Sequence, residues 1–268
     1  MTYMKPLHLM MVGMVALLTQ CSTTESTAAP AKSVAKSPAV EIVKDGYLPS
    51  NFCYLDEVAG LPDNVRVDIK YNTTDNFVGE RIDGYEGTRA ILRKDTAQAV
   101  KKVAVLLKKK GLGLVIWDAY RPARAMAHFR RWSLRPEDGS TKSTFYPNIT
   151  KQGIYDGRYI GKVSEHSWGI AVDVTLYDLT TGEELDMGGR HDLLDVSSST
   201  ESMLVTPLQR ANRLLLREVM AAFGMRNYRK EWWHYFLTNA KPVVRHDFVL
   251  KDDLKSEHRK VVKKSKKK

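Results

Sequence analysis

An aspartate inside an apolar strand is the feature of this sequence that most constrains its fold. Residues Gly169–Leu176 are rich in β-branched side chains and predict a central strand, yet Asp173 stands in the middle of its apolar residues. Burying a carboxylate is costly unless the group is paired or binds a metal. We therefore expect the fold to bring partners to Asp173.

A histidine seven residues earlier is the first candidate partner. In a straight strand, His166 and Asp173 would face opposite sides, because side chains alternate along a strand. Gly169 lies between them and supplies the freedom for a bend, which would place His166 on a loop and Asp173 inside the strand, both aimed at one point. For these two residues alone, a salt-bridged aspartate beside a hydrogen-bonded histidine remains an alternative to a metal.

A second histidine, preceded by a carboxylate, favours the metal. His234 follows Glu231 by three positions, in a short aromatic segment. Catalytic zinc usually takes three histidine or carboxylate ligands and leaves its fourth position to water. The sequence therefore predicts one Zn²⁺ per chain, held by His166, Asp173 and His234. Glu231 is then free to act as the general base for the attacking water.

Arg121 is the remaining candidate for chemistry. It stands where a predicted buried strand, Leu112–Trp117, gives way to a helix that begins near Pro122. Hydrolysis of a peptide places negative charge on the carbonyl oxygen, which a fixed guanidinium can stabilise. The alternative is an arginine that pairs with Asp118 to brace the turn.

The order of the predicted elements defines the fold class. A helix is expected between Ile91 and Gly111 with Asp95 as its N-cap, and a capping-box helix from Thr206 to Phe223, followed by a short strand over Glu231–Leu237. Helices and strands mix without regular βαβ alternation. This order favours a single α+β domain with a small central antiparallel sheet, flanked by helices, and a zinc site in a cleft.

The first 21 residues predict export. A basic start is followed by an apolar run from Leu7 to Leu18, which is shorter than the roughly 20 residues of a membrane-spanning helix. The segment therefore predicts a signal peptide, and the protein is expected in the periplasm or cell envelope. Its ending resembles a bacterial lipoprotein box, so a lipid on Cys21 would anchor the protein to a membrane. Ordinary cleavage is the alternative.

Two further segments differ in composition from the rest of the chain. Residues 22–40 are Ser, Thr, Ala, Pro and Lys without apolar periodicity, which predicts a flexible tether before a catalytic domain over residues 41–250. Residues 251–268 carry nine lysines or arginines against three acids, which predicts a basic disordered tail. In an exported protein such a tail would remain solvated or contact anionic envelope polymers; nucleic acid is not an expected partner.

Several blocks, found in the same order along residues 50 to 240, carry a resemblance to a known family. The blocks are Lys70–Gly79, Trp117–Pro122, Phe145–Asn148, Ser164–Asp173, Met187–Asp192 and Glu231–Tyr235. On these blocks, the chain resembles the D-alanyl-D-alanine dipeptidases, the VanX-like enzymes of the zinc D,D-peptidase superfamily, peptidase family M15. The blocks cover the whole predicted catalytic domain.

The resemblance implies the same metal ligands and catalytic residues as the reasoning from the residues. It adds a small closed pocket for a free D,D-dipeptide. Asp192 would meet the substrate ammonium there, and Ser164 and Tyr71 would make further polar contacts. The implied activity is hydrolysis of D-Ala-D-Ala during peptidoglycan turnover or recycling.

Two other functions are compatible with the sequence. A D,D- or L,D-carboxypeptidase acting on peptidoglycan stem peptides would keep the metal ligands and Glu231. A non-catalytic zinc-containing module that binds peptidoglycan would typically have lost the base or the arginine. Glu231 and Arg121 are both present, which favours an enzyme.

Overall fold

The structure is a computed structural model that describes residues 40–41, 46–161, 163–241 and 243–256. The predicted signal peptide, Cys21 and nearly all of the predicted tether lie outside the described residues. Within the described part of the chain, no helix is both long and apolar enough to cross a bilayer.

The described residues form short strands and helices of mixed order. The strands are β1 (Val40–Glu41), β2 (Tyr47–Leu48), β3 (Phe52–Tyr54), β4 (Val65–Val67), β5 (Ile91–Arg93), β6 (Leu112–Asp118), β7 (Ala171–Asp178), β8 (Met225–Asn227), β9 (His234–Leu237), β10 (Arg245–His246) and β11 (Lys255–Ser256). The α-helices are α1 (Lys94–Lys108), α2 (Ala123–Ser133), α3 (Lys142–Phe145), α4 (Lys151–Gly153) and α5 (Pro207–Ala221).

A five-stranded sheet in the order β4-β6-β7-β9-β8 forms the centre of the fold. Strands β6, β7, β9 and β8 pair antiparallel, as the sequence predicts. The outer strand β4 instead pairs parallel to β6. Between β4 and β6 the chain passes through β5 and α1, and a crossover of this kind permits parallel pairing. The predicted α+β class is confirmed, with a sheet that is mixed at one edge.

Helices α1 and α5 cover the sheet. α1 packs on β6, α5 packs on β8, and the two helices contact each other. The core at this face contains side chains with no exposed surface, among them Val100, Val103, Leu107, Leu114 and Ile116. Apolar residues three and four apart on α1 therefore meet alternate residues of β6, as the two periodicities require.

The two predicted helix starts have different outcomes. The capping box of α5 is confirmed: Thr206 Oγ1 accepts from the Gln209 amide at 3.3 Å, and Gln209 Oε1 accepts from the Thr206 amide at 2.8 Å. The predicted N-cap of α1 is wrong, because the helix is capped at Arg93 and Asp95 lies in its first turn. The residues before it form β5, which pairs with β3.

The register of the central strands brings three polar residues side by side. Asp118 of β6 lies opposite Asp173 of β7, which lies opposite His234 of β9. The β6–β7 register shifts between Ile116 and Asp118, an irregularity of the kind that re-aims side chains beside active sites. The end of the sheet thus collects ionisable groups at one point.

The folded part of the chain continues beyond residue 250, the predicted end of the catalytic domain. Leu254 is buried, its amide donates to Tyr54 Oη at 2.7 Å, and β11 pairs with β2. Contacts with distant residues therefore order the start of the predicted tail despite its basic composition. Residues 257–268 of that tail lie outside the described residues.

Candidate metal centre and active-site cavity

His166 is held at the bend that the sequence predicts. It lies in a 3₁₀ turn, Glu165–Trp168, which Ser164 caps: Ser164 Oγ accepts from the His166 amide at 3.3 Å. The turn ends at Gly169 with φ +69°, and a Cβ there would lie 2.3 Å from the Phe52 ring. Only glycine fits both the conformation and the space, so this glycine sets the direction of His166.

The three predicted ligands meet at one buried point. His166 Nε2 lies 3.2 Å from Asp173 Oδ1 and 3.1 Å from His234 Nδ1, and these last two atoms are 3.0 Å apart. Three ligands about 2.0 to 2.1 Å from a tetrahedral zinc ion would lie about 3.3 Å from each other. This triangle is therefore close to one face of a zinc coordination tetrahedron.

The proton position on His166 favours metal binding. Its Nδ1 donates to the Ala119 carbonyl oxygen at 2.6 Å, which leaves the lone pair of Nε2 directed into the triangle. A backbone acceptor behind a histidine ligand is the usual way in which proteins orient such a ligand. The buried set of two imidazoles and one carboxylate fits a zinc ion in donor type, spacing and orientation.

The second oxygen of Asp173 faces two cationic or polar donors. Arg121 Nη2 lies 3.3 Å and His191 Nε2 3.4 Å from Oδ2. Burial by itself would raise the pKa of Asp173, but in the metal-free protein an imidazolium at His166 and hydrogen bonds from the surrounding histidines hold it well below its usual range. A bound metal would replace the proton on His166 Nε2 and supply the positive charge instead. The carboxylate is therefore ionised, as a metal ligand must be.

The structure places Arg121 both at the turn and at the cavity. It braces the turn, because its Nε donates to Asp118 Oδ2 at 2.9 Å, and it also reaches Asp173 and lines the cavity. Tyr71 lies beneath the guanidinium, with 4.9 Å between the Arg121 Cζ and the ring centroid. The guanidinium is therefore fixed in direction on three sides.

Glu231 lines the same cavity and is half-buried. Burial is the main cause that raises its pKa to about 7, and His234 opposes part of this increase. A carboxyl group with a pKa near neutrality can accept a proton in one step and donate it in the next. The structure thus places Glu231 and His234 at the same cavity.

Glu231 also gives the metal-free protein a pH dependence. Between its usual pKa of 4.5 and about 7, the carboxyl is ionised in the unfolded chain and protonated in the folded one. Relative to a Glu231→Gln variant, the free energy of unfolding should fall by up to about 1.4 kcal/mol per pH unit in this interval and then level off. Urea denaturation of both chelator-treated proteins measures this, and a difference that does not change with pH would contradict it.

The residues implied to bind substrate also lie at the cavity. Tyr71 Oη donates to Asp192 Oδ1 at 3.1 Å, while Asp192 Oδ2 is buried with no hydrogen-bond partner among the described residues. Asp192 has a φ of +60°, the one non-glycine residue of the described chain with a positive φ. Ser164 borders the cavity as well, beside its cap on His166.

The cavity itself is small. Its volume is about 220 Å³, and seven of the eight predicted site residues line it, all but His166. Apolar walls come from Met126 and Phe129 of α2 and from Trp233. Pockets for drug-sized ligands have volumes of about 300–1,000 Å³, so this one fits a smaller molecule.

Two residues of the site were not predicted from the sequence. His191 contacts Asp173 from a loop without regular structure, and no spacing signal connects them. Asp118 is fully buried, accepts from Tyr85 Oη at 2.7 Å and lies 3.4 Å from His166 Nδ1. The sequence treats Asp118 only as a partner for Arg121, although its position at the end of a buried strand signals a deeper location.

Two histidines and an aspartate that can hold a metal, next to a carboxyl group that can transfer a proton, are the groups that a metal-dependent hydrolase requires. A family model described as D-ala-D-ala dipeptidase matches residues 52–257, and the chain belongs to this family, peptidase family M15. The matched range is nearly the whole described structure.

Curated relatives support this assignment. A protein of Streptomyces coelicolor named D-alanyl-D-alanine dipeptidase is 44% identical over 190 residues, which are 71% of this chain and 93% of the relative. Proteins of the same name from Enterococcus faecalis and Escherichia coli are 40% and 33% identical, over 71% and 69% of this chain and 93% and 86% of their own. Among solved structures, an LD-carboxypeptidase, LdcB, covers 73% of this chain and 71% of its own at 18% identity and a TM-score of 0.38, a similarity too weak to indicate function.

Proposed function

We propose that the protein hydrolyses the dipeptide D-Ala-D-Ala with one zinc ion held by His166, Asp173 and His234. The observation that carries the proposal is the 3.0–3.2 Å triangle of ligand atoms at the wall of a cavity of about 220 Å³. The names of the curated relatives support the same substrate. When bound, zinc supplies a Lewis acid that polarises the scissile carbonyl and the attacking water.

Glu231 and Arg121 have the other two roles in the proposed reaction. Glu231 takes a proton from the attacking water as the water oxygen bonds to the carbonyl carbon, and gives that proton to the nitrogen of the leaving D-alanine as the C–N bond breaks and the carbonyl re-forms. Arg121 stabilises the negative charge on the carbonyl oxygen. Both side chains line the cavity, and the burial that raises the pKa of Glu231 in the metal-free protein favours proton uptake by this carboxyl group.

Asp192 recognises the free amino end of the substrate. Its Oδ2 lacks a hydrogen-bond partner among the described residues and is buried, an arrangement that is costly unless a ligand completes it. A substrate ammonium supplies both the positive charge and the donors. This pairing separates a dipeptidase from an enzyme that trims longer peptides, in which the corresponding nitrogen is an amide.

Replacing Asp192 by asparagine should therefore weaken the reaction of free dipeptides. We expect kcat/KM for D-Ala-D-Ala to fall by the equivalent of about 2–5 kcal/mol, the usual cost of removing one partner of a buried charge pair. N-acetyl-D-Ala-D-Ala, which has no ammonium, serves as the matched control substrate, because its slow hydrolysis should not fall further. An equal loss for both substrates would indicate that Asp192 has no role in recognising the amine.

A panel of substrates tests the proposed activity directly. Zinc-loaded protein should release D-alanine from D-Ala-D-Ala, and chelator-treated protein should not until zinc is restored. A pentapeptide stem that ends in D-Ala-D-Ala should be a poor substrate. Hydrolysis of the stem alone would instead identify a carboxypeptidase, and zinc binding without any hydrolysis would identify a binding module.

We also propose that the protein works outside the cytoplasm, attached to a membrane by a lipid on Cys21, in peptidoglycan turnover or recycling. The apolar run Leu7–Leu18 and the ending before Cys21 support this location. The basic end of the chain would then contact anionic envelope polymers. Cell fractionation of the wild type and a Cys21→Ala variant tests the proposal: the wild type should sediment with membranes and the variant should not. Mature wild-type protein in the cytosol would contradict it.

A further inference from the structure

His191 is a buried residue behind the cavity, beside Asp173 and Asp192, to which the proposed reaction gives no role. Only 4% of its surface is exposed. Its Nε2 lies 3.4 Å from Asp173 Oδ2 and 3.5 Å from Asp192 Oδ1. One nitrogen thus lies between the proposed metal ligand and the residue proposed to recognise the substrate amine.

The two oxygens of Asp173 face different groups. Oδ1 faces both imidazoles of the metal triangle, at 3.2 and 3.0 Å, whereas Oδ2 faces Arg121 and His191. A carboxylate rotates about the bond to its Cβ unless its second oxygen is held. Polar partners behind a metal ligand fix its direction in this way, and their loss weakens metal binding.

Aromatic neighbours hold the His191 ring in place. Its centroid lies 5.1 Å from that of Trp117 and 5.7 Å from that of Trp233, and Tyr71 lies 6.0 Å away. All three neighbours are buried. The imidazole therefore has little room to turn, and Nε2 stays directed at the two aspartates.

We propose that His191 is a positioning residue: its Nε2 donates to Asp173 Oδ2 and so keeps Asp173 Oδ1 in the metal triangle. The contact of the same nitrogen with Asp192 connects the proposed substrate site to the metal site. The proposal rests on the proposed function for the roles of these two aspartates. It assigns His191 no contact with the metal or the reacting atoms.

Zinc affinity, measured by competition with a chromophoric chelator in the absence of substrate, tests the proposal. His191→Phe keeps an aromatic ring but loses the donor, and its zinc dissociation constant should rise about 10- to 100-fold. In His191→Gln, the side-chain amide can occupy the place of Nε2, so a smaller rise is expected. Methionine has the length of glutamine but no donor, so the zinc dissociation constant of His191→Met should rise as much as that of His191→Phe. If His191→Phe does not fold, His191→Met takes its place in the comparison.

A matched control separates this role from general stability. His128 is also buried and also contacts two carboxylates, Glu80 and Asp83, but neither of these belongs to the metal triangle. His128→Phe should therefore leave zinc affinity unchanged, whatever it does to the melting temperature. Equal affinities for His191→Gln and His191→Met, or wild-type affinity in both, would overturn the proposal.

The same measurements keep this proposal apart from the proposed function. Suppose that the wild type binds zinc but does not hydrolyse D-Ala-D-Ala, while zinc affinity still falls from the wild type to His191→Gln and further to His191→Met. The dipeptidase function then fails and the positioning role stands. If hydrolysis is normal and the zinc affinity of every His191 variant is that of the wild type, the positioning role alone fails.

Discussion

Glu231→Gln is expected to lower kcat for D-Ala-D-Ala by about 10²- to 10⁴-fold, the usual contribution of a general base. Glutamine keeps the shape of the side chain but cannot accept the proton of the attacking water. Because Glu231 contributes no atom to the ligand triangle, the zinc content should stay at one ion per chain. The measurement is steady-state hydrolysis of the dipeptide together with the zinc content of the same sample.

A surface glutamate provides the control for this substitution. Glu184 lies outside the cavity lining, so Glu184→Gln should retain wild-type kcat. A Glu231→Gln variant with wild-type turnover would show that another group takes the proton. A variant that has lost its zinc would instead place Glu231 among the ligands.

Arg121→Lys should lower kcat by about 10²- to 10³-fold, the effect of removing one donor from a developing oxyanion. Lysine keeps the positive charge between Asp118 and Asp173 but cannot donate in several fixed directions, as the guanidinium does. This choice avoids the loss of about 3–5 kcal/mol in stability that removing the charge from a buried ion pair would cause. Because the role is stabilisation of the transition state, KM should change less than kcat.

The second arginine of this region is a suitable comparison. Arg124 lies one turn further along, at the start of α2, and pairs with Asp247 on the surface. Arg124→Lys should leave kcat unchanged. If Arg121→Lys raised KM alone, the guanidinium would bind the ground state of the substrate and would not stabilise the oxyanion.

The sequence predicts the ligands of the site because each has an unusual local context. Asp173 interrupts an apolar strand, Gly169 permits the bend before it, and Glu231 precedes His234 at a short spacing. Strong local signals also predict α5 through its capping box. In these cases, a few neighbouring residues determine the conformation.

Features that depend on distant contacts were not predicted. β5 has three residues, too few for a periodic pattern, and is defined by its pairing with β3. Aspartate is common at N-caps, but β5 ends at Arg93, and the helix begins directly after it, so Asp95 lies in the first turn. β11 lies in a lysine-rich segment whose order comes from β2, and His191 reaches Asp173 only through the tertiary fold.

The alignment of Asp118, Asp173 and His234 across three adjacent strands limits how genes for such proteins can change in length. Inserting or deleting one codon in β7 would turn Asp173 to the opposite face of the sheet, because side chains alternate along a strand. No substitution elsewhere would restore its direction. We therefore expect insertions and deletions among homologous genes to accumulate between α2 and the turn that carries His166, and to be purged from β6, β7 and β9.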